Sequence, residues 1–176
     1  MTKILLLVAN EGFQTLEYDN PKHTLTEAGH IVITASRDGG TAISTDNEKI
    51  ETDLKLSDVI TSDYDGVFVI GGPGSIEYLN NNETARIIGE AKSSPHVFYG
   101  AICVAPRILA EAGLLVGTRI TGWDNDGKLG GICDKYGCVR ELHPVVRDGR
   151  VITADGPSSA SAFGEEIVKA LAEEGN

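Results

Sequence analysis

The chain has 176 residues, which suits one domain and supports a substantial core. Its 15 basic residues stand against 26 acidic ones, a net charge of −11. That balance argues against nucleic acid or an anionic membrane as the main partner, since both need a basic patch.

In chain order, residues 3–9 (KILLLVA) read as a strand and residues 14–28 as a helix. Residues 31–35 (IVITA) read as a second strand. In residues 39–55, polar turn residues separate two short alternating segments, which predicts a small hairpin appended to the main sheet. A strand at 66–70 (GVFVI) precedes a helix at 83–93, and a strand at 97–102 (VFYGAI) precedes a helix at 104–112, stopped by Gly113. Residues 123–140 carry four glycines and mixed charge, a loop-rich excursion with room for one short helix. A strand at 151–153 and a helix at 158–173, opened by Pro157 and Ser158, close the chain. The longest strands are continuously apolar, as expected where helices cover both faces of a sheet. No repeat or linker divides residues 1–176. The expected architecture is a single α/β domain with a doubly wound, mostly parallel sheet sandwiched by helices. Ligands in such sheets sit beyond the carboxyl ends of the strands.

Cys103, in "GAICVAP", lies at that end, where a strand gives way to a helix. A tight strand–nucleophile–helix turn needs small neighbours, and Gly100, Ala101 and Ala105 supply them. A thiol held there faces a helix N-terminus, which favours thiolate. The bland alternative is a buried cysteine acting as a small hydrophobe.

These residues resemble the ThiJ/PfpI family, within the class I glutamine amidotransferase-like superfamily. "AICVAP" is similar to the family's cysteine turn, and "EGFQTLEYDNPKHTLTEAGHIV" to its first-helix segment with an acidic residue. "FVIGGPGSIEYL" resembles its glycine turn, with Ile70 where a proline is usual, and "RDGRVITADGPSSASAFGEEIVKAL" its C-terminal block. The resemblance implies a flavodoxin-like fold, no cofactor, no metal and a homodimer. It casts Cys103 as the nucleophile or redox cysteine and Glu17 as the carboxyl that meets it while protonated. Gly72 and the backbone N–H of Val104 match the oxyanion-binding pair. The residues agree independently: Glu17 follows the first strand and so emerges at the same sheet edge as Cys103. A carboxyl beside a thiolate avoids like-charge repulsion by keeping its proton. The other readings of "GGPGS" are weak, since no P-loop lysine follows and Glu77 breaks a dinucleotide pattern.

Departures from the family pattern concern histidine. Relatives carry one directly after the cysteine, where Val104 stands, or on the following strand, where Trp123 stands. The late His-x-Glu pair of glutaminase relatives has His143-Pro144-Val145 as its nearest counterpart. His96 opens the strand that ends at Cys103, about 23 Å away at ~3.3 Å per residue. His30 belongs to the same far end, and His23 falls on another helix face than Glu17. Only His143 is left as a same-chain partner, and a residue from another subunit is the alternative. Cys133 and Cys138, spaced C-x4-C, lack the tight pairs of zinc sites and read as loop packing. Trp123 reads as a pocket wall or as core.

The functional expectation is a cysteine protein acting on small reactive carbonyls, glyoxalase- or deglycase-like, slow for want of the histidine. The alternative is an oxidative-stress sensor whose low-pKa, exposed thiolate oxidises to sulfinate. An intracellular peptidase ranks below both, because acyl transfer needs a proton for the leaving amine. Three cysteines without a repeated spacing make no disulfide framework. The apolar run from Ile4 to Ala9 is too short for a signal-peptide core, and no segment nears the roughly 20 apolar residues that span a bilayer. A soluble, reduced, cytoplasmic domain is therefore expected.

Overall fold

A computed structural model describes residues 1–174. Strand β1 (Lys3–Val8) leads to a short strand β2 (Glu11–Phe13) and helix α1 (Thr15–Glu27). Strands β3 (Ile31–Ser36), β4 (Gly40–Ser44), β5 (Lys49–Thr52), β6 (Leu54–Lys55) and β7 (Gly66–Val69) follow. Helices α2 (Ser75–Leu79) and α3 (Asn82–Ser93), strand β8 (Phe98–Ile102) and helix α4 (Ala105–Glu111) come next. Strand β9 (Arg119–Ile120), helix α5 (Leu129–Tyr136) and strands β10 (Val139–Arg140), β11 (Val145–Asp148) and β12 (Val151–Ala154) lead to helix α6 (Ala160–Glu174).

The main sheet has seven strands in the order β11-β12-β8-β7-β1-β3-β6. All neighbours are parallel except the edge pair β11–β12. The expected doubly wound sheet is therefore present. Its interior strand β1 shows why the sequence is continuously apolar. Leu5 and Leu7 face one core with Ile87, Ile88, Ile108 and Leu109 from α3 and α4. Ile4, Leu6 and Val8 face the other, with Tyr18, Leu25, Phe163 and Ile167 from α1 and α6. Both faces of β1 are fully covered.

The predicted hairpin forms as β4 and β5 (Ala42↔Ile50) but not as an appendage of the main sheet. It belongs to a separate three-stranded sheet, because β2 adds to β4 in parallel through Glu11↔Ile43. The main sheet takes only β6 on its edge, through Ala35↔Leu54. Residues 123–140 contain one short helix, α5, ended by Gly137 in the left-handed conformation (φ 77°).

Candidate active site

Cys103 follows β8 directly and precedes α4, with φ +64°. Such a backbone is costly for a residue with a Cβ and persists only where the surroundings over-determine it. Two bonds hold it: its N–H donates to Ala154 O of β12 at 2.9 Å, and its carbonyl accepts from Trp123 N–H at 2.7 Å. The strained turn that the small neighbours predicted is thus pinned from two directions.

Glu17 sits in the first turn of α1. Gln14 is the N-cap, and its side chain accepts from the Glu17 N–H at 2.8 Å. The Gln14 N–H donates in turn to Gly71 O at 3.0 Å, which ties the start of α1 to the glycine turn after β7. Glycine is required in that turn. A Cβ at Gly71 would collide with Glu17 Oε2 and the Cys103 Cβ. Gly72 has φ +116°, and a Cβ there would strike Gly12 O and Gln14 N.

The structure therefore brings Glu17, Cys103 and the Gly71–Gly72 turn together. Glu17 is completely buried, and burial pushes its pKa up from 4.5 to about 7. The Cys103 thiol and the Gly71 N–H face the carboxyl and offset part of that effect. Neither carboxyl oxygen completes a hydrogen bond of ordinary length and angle, so these contacts are loose. The Val104 and Gly72 N–H groups both point at the Cys103 sulfur, as the oxyanion reading requires of their placement.

One expectation needs correcting. Cys103 is 8% exposed rather than open to solvent, and its pKa is raised, not lowered. Burial is the main cause, then the charge of Glu17, and the two backbone donors recover only part. α4 has only seven residues, so its N-terminus is a weak counterweight. The favourable charge distribution is one proton shared between carboxyl and thiol.

No histidine is among the groups that act on the Cys103 thiol, and His23 is exposed on α1. The His30 ring bonds the Thr2 hydroxyl at 2.7 Å, by the amino end of β1. His96 is exposed and meets Glu174 at 3.3 Å. His143 is exposed on the wall of a cavity shared with Gly122, Asp124, Arg140 and Asp155. Trp123 is half-buried and packs against the apolar cluster that includes Cys103. Cys133 and Cys138 are free and buried. Among the described residues no group of three or more His, Cys, Asp and Glu side chains is arranged to hold a metal.

Sequence reasoning missed Gly71 and Arg107. Gly71 was the unremarked first glycine of the quoted "GGPG" run. Arg107 falls four residues after Cys103, in the first turn of α4. It donates to Trp123 O at 2.8 Å, grips Asp126 at 2.7 and 3.0 Å, and lies over the Trp123 ring. Asp126 is held down at about 2 by that guanidinium.

Residues 2–170 match the model of the DJ-1/PfpI family. The chain belongs to that family. A deglycase of Pyrococcus horikoshii is 32% identical over 172 residues, covering 96% of this chain and 99% of that one. The crystal structure of a Brachyspira murdochii ThiJ/PfpI domain protein superposes with a TM-score of 0.87 at 26% identity, over 97% of this chain and 96% of that one. Drosophila melanogaster DJ-1beta gives the same TM-score and identity over 97% and 90% of the two chains. These DJ-1/PfpI relatives span the whole fold, so the match is not limited to the cysteine turn. Among the described residues, no helix of this DJ-1/PfpI chain is long and apolar enough to cross a membrane.

Proposed function

We propose that this chain is a cysteine-dependent enzyme acting on small reactive carbonyls of the 2-oxoaldehyde type. The observation that carries the reading is the buried Glu17 carboxyl set against the strained Cys103 thiol, able to hold a proton near neutral pH. The deglycase name of the Pyrococcus horikoshii relative adds support.

The chemistry balances on these groups. The Cys103 sulfur passes its proton to Glu17 and attacks the aldehyde carbon, forming a C–S bond. The Val104 and Gly72 N–H groups hold the developing oxyanion, which then takes the proton from Glu17. Glu17, now a carboxylate, removes the C–H proton and returns it to the neighbouring carbon while the hydroxyl proton passes to the neighbouring oxygen, which converts the hemithioacetal to a thioester. Water hydrolyses the thioester to a 2-hydroxy acid and frees the thiol. The aldehyde carbon is oxidised and the neighbouring ketone carbon reduced within one molecule, so the balance needs no outside oxidant or reductant. Without an adjacent histidine, turnover lacks general acid–base help worth about 10²–10⁴-fold and is slow.

Methylglyoxal with the purified protein tests this. Lactate should accumulate, stop in Cys103→Ser, and fall by about 10²-fold or more in Glu17→Gln. Lactate formation that survives Cys103→Ser refutes the reading.

A second reading rests on the two Glu17 oxygens that lack partners. A protonated Glu17 can donate to a sulfinate on Cys103, formed by two peroxide equivalents with release of two waters. Peroxide titration that adds two oxygen atoms at Cys103, with no lactate formed, favours this sensor role. The family resemblance also supports a homodimer, and the net charge of −11 argues against nucleic acid or an anionic membrane as main partner of a domain we place in the cytoplasm. Light scattering that finds a monomer at micromolar concentration refutes the dimer.

A further inference from the structure

Cys133 and Cys138 lie outside the site just described and have no part in its chemistry. They are the first and last of six positions, 133–138, at one helix ending. Cys133 is in the last turns of α5, Gly137 is its left-handed cap, and Cys138 comes next. The Cys133 carbonyl accepts from Gly137 N–H at 2.8 Å and from Cys138 N–H at 3.1 Å. That second bond, spanning five residues, makes the ending a Schellman motif. The motif places the side chains of its first and last residues against each other, usually as a hydrophobic contact. Here both positions are cysteine. The two thiols interact directly and both are buried in the core that contains α3 and α4.

A disulfide needs Cα atoms about 4.4–6.8 Å apart and side chains that converge. A backbone hydrogen bond between the same two residues holds their main chains close, and the thiol–thiol contact turns the side chains together. Closing the bond therefore calls chiefly for rotation about side-chain torsions. The location also eases access. Cys138 is the more exposed of the two, at 7% against 2%, and it leads into β10, which pairs only with the two-residue β9. Such short, peripheral pairings open at low free-energy cost.

We propose that Cys133 and Cys138 form a redox-active dithiol that closes to an intramolecular disulfide by exchange with a small-molecule disulfide. Cys138 attacks one sulfur of the small disulfide and forms a mixed disulfide, and one thiol leaves with the Cys138 proton. Cys133 then attacks the Cys138 sulfur, and the second thiol leaves with the Cys133 proton. The protein dithiol is oxidised by two electrons and the small disulfide is reduced to two thiols. Burial, the main cause, and the neighbouring Cys138 thiol push the Cys133 thiol up to about 12. The closing step is accordingly slow and speeds up at alkaline pH. This site stands apart from Cys103, so it does not depend on the proposed carbonyl chemistry.

The sequence offers a sharp readout, because Lys135 lies between the two cysteines. Trypsin cuts there and separates LGGICDK (129–135) from YGCVR (136–140). Cys103 falls in a third peptide. The folded, full-length Cys103→Ser variant is incubated with oxidised glutathione at pH 8, quenched with iodoacetamide, and digested without reductant. The expected product is LGGICDK joined to YGCVR, two hydrogens lighter than the sum of the free peptides and split by dithiothreitol. Cys138→Ser should abolish it, and the wild type should give it with Cys103 still free to alkylate. Separately alkylated peptides, stable glutathione adducts, or cross-linking seen only after denaturant is added would each overturn the proposal.

Discussion

Cys103 keeps its left-handed backbone among tightly packed neighbours, and the turn beside it includes Gly72. In Gly72→Ala a methyl group meets Gly12 O and Gln14 N at φ +116°. Overpacking and backbone strain of this kind cost about 1–3 kcal/mol each. We expect a urea midpoint lowered by the equivalent of roughly 3 kcal/mol, together with loss of Cys103 reactivity. Glu17 gives a second test. Its pKa is about 7 when folded against 4.5 for the free group, so the folded state holds a proton that the unfolded state has lost between those values. Its contribution is fully present below pH 4.5 and is lost as pH rises to about 7. Integrated over that window, the change is roughly 3 kcal/mol. Urea midpoints at pH 5 and 8 should show the wild type less stable at pH 8, with the gap narrowed in Glu17→Gln. An equal gap in both proteins would show that other groups set the dependence. Both residues were legible in the sequence, since strand order alone sends them to one sheet edge. The buried state of the thiol was not, because it depends on Ala154 and Trp123, far away in the chain.

Among the elements, legibility followed length. The strand expected at 3–9 and the helix at 14–28 appear as β1 and α1, with Gln14 and Ala28 as the caps. The helix at 83–93 begins one residue earlier, where Asn81 caps it. β2, β9 and β10 have two or three residues each, too few to show a period. Their partners come from elsewhere in the chain, as when Glu11 meets Ile43. α2 hid in the glycine turn, and β11 in the polar tract before β12. The loop after β9 is held by the Arg107 clamp, and Trp123 is the sole tryptophan, so one fluorophore reports on it. Arg107→Ala should red-shift the emission and lower its anisotropy by freeing the ring. Arg107→Lys should do the same in part, because an ammonium cannot replace the two-pronged grip on Asp126. Unchanged emission in both variants would remove Arg107 from its role in positioning that loop.

For the molecule as a whole, −11 charges on 176 residues mean self-repulsion that salt can screen. Going from roughly 10 mM to 150 mM sodium chloride shortens the Debye length from about 30 Å to about 8 Å. The Tm should rise by about 2–4 °C, the response to about 1 kcal/mol in a chain of this size. A Tm that falls would mean that the exposed ion pairs, such as Arg147–Glu173, outweigh the repulsion.

The order of the main sheet also has a consequence in time. Five of its strands, β6, β3, β1, β7 and β8, come from the first 102 residues and can pair as the ribosome extends the chain. The bond that fixes Cys103 from the far side waits for Ala154, 51 residues further along the chain. A nascent chain therefore carries most of its sheet well before it carries a finished thiol. The reactive turn is completed only once Ala154 has been made, and a product terminated before that residue is left folded in part and chemically silent.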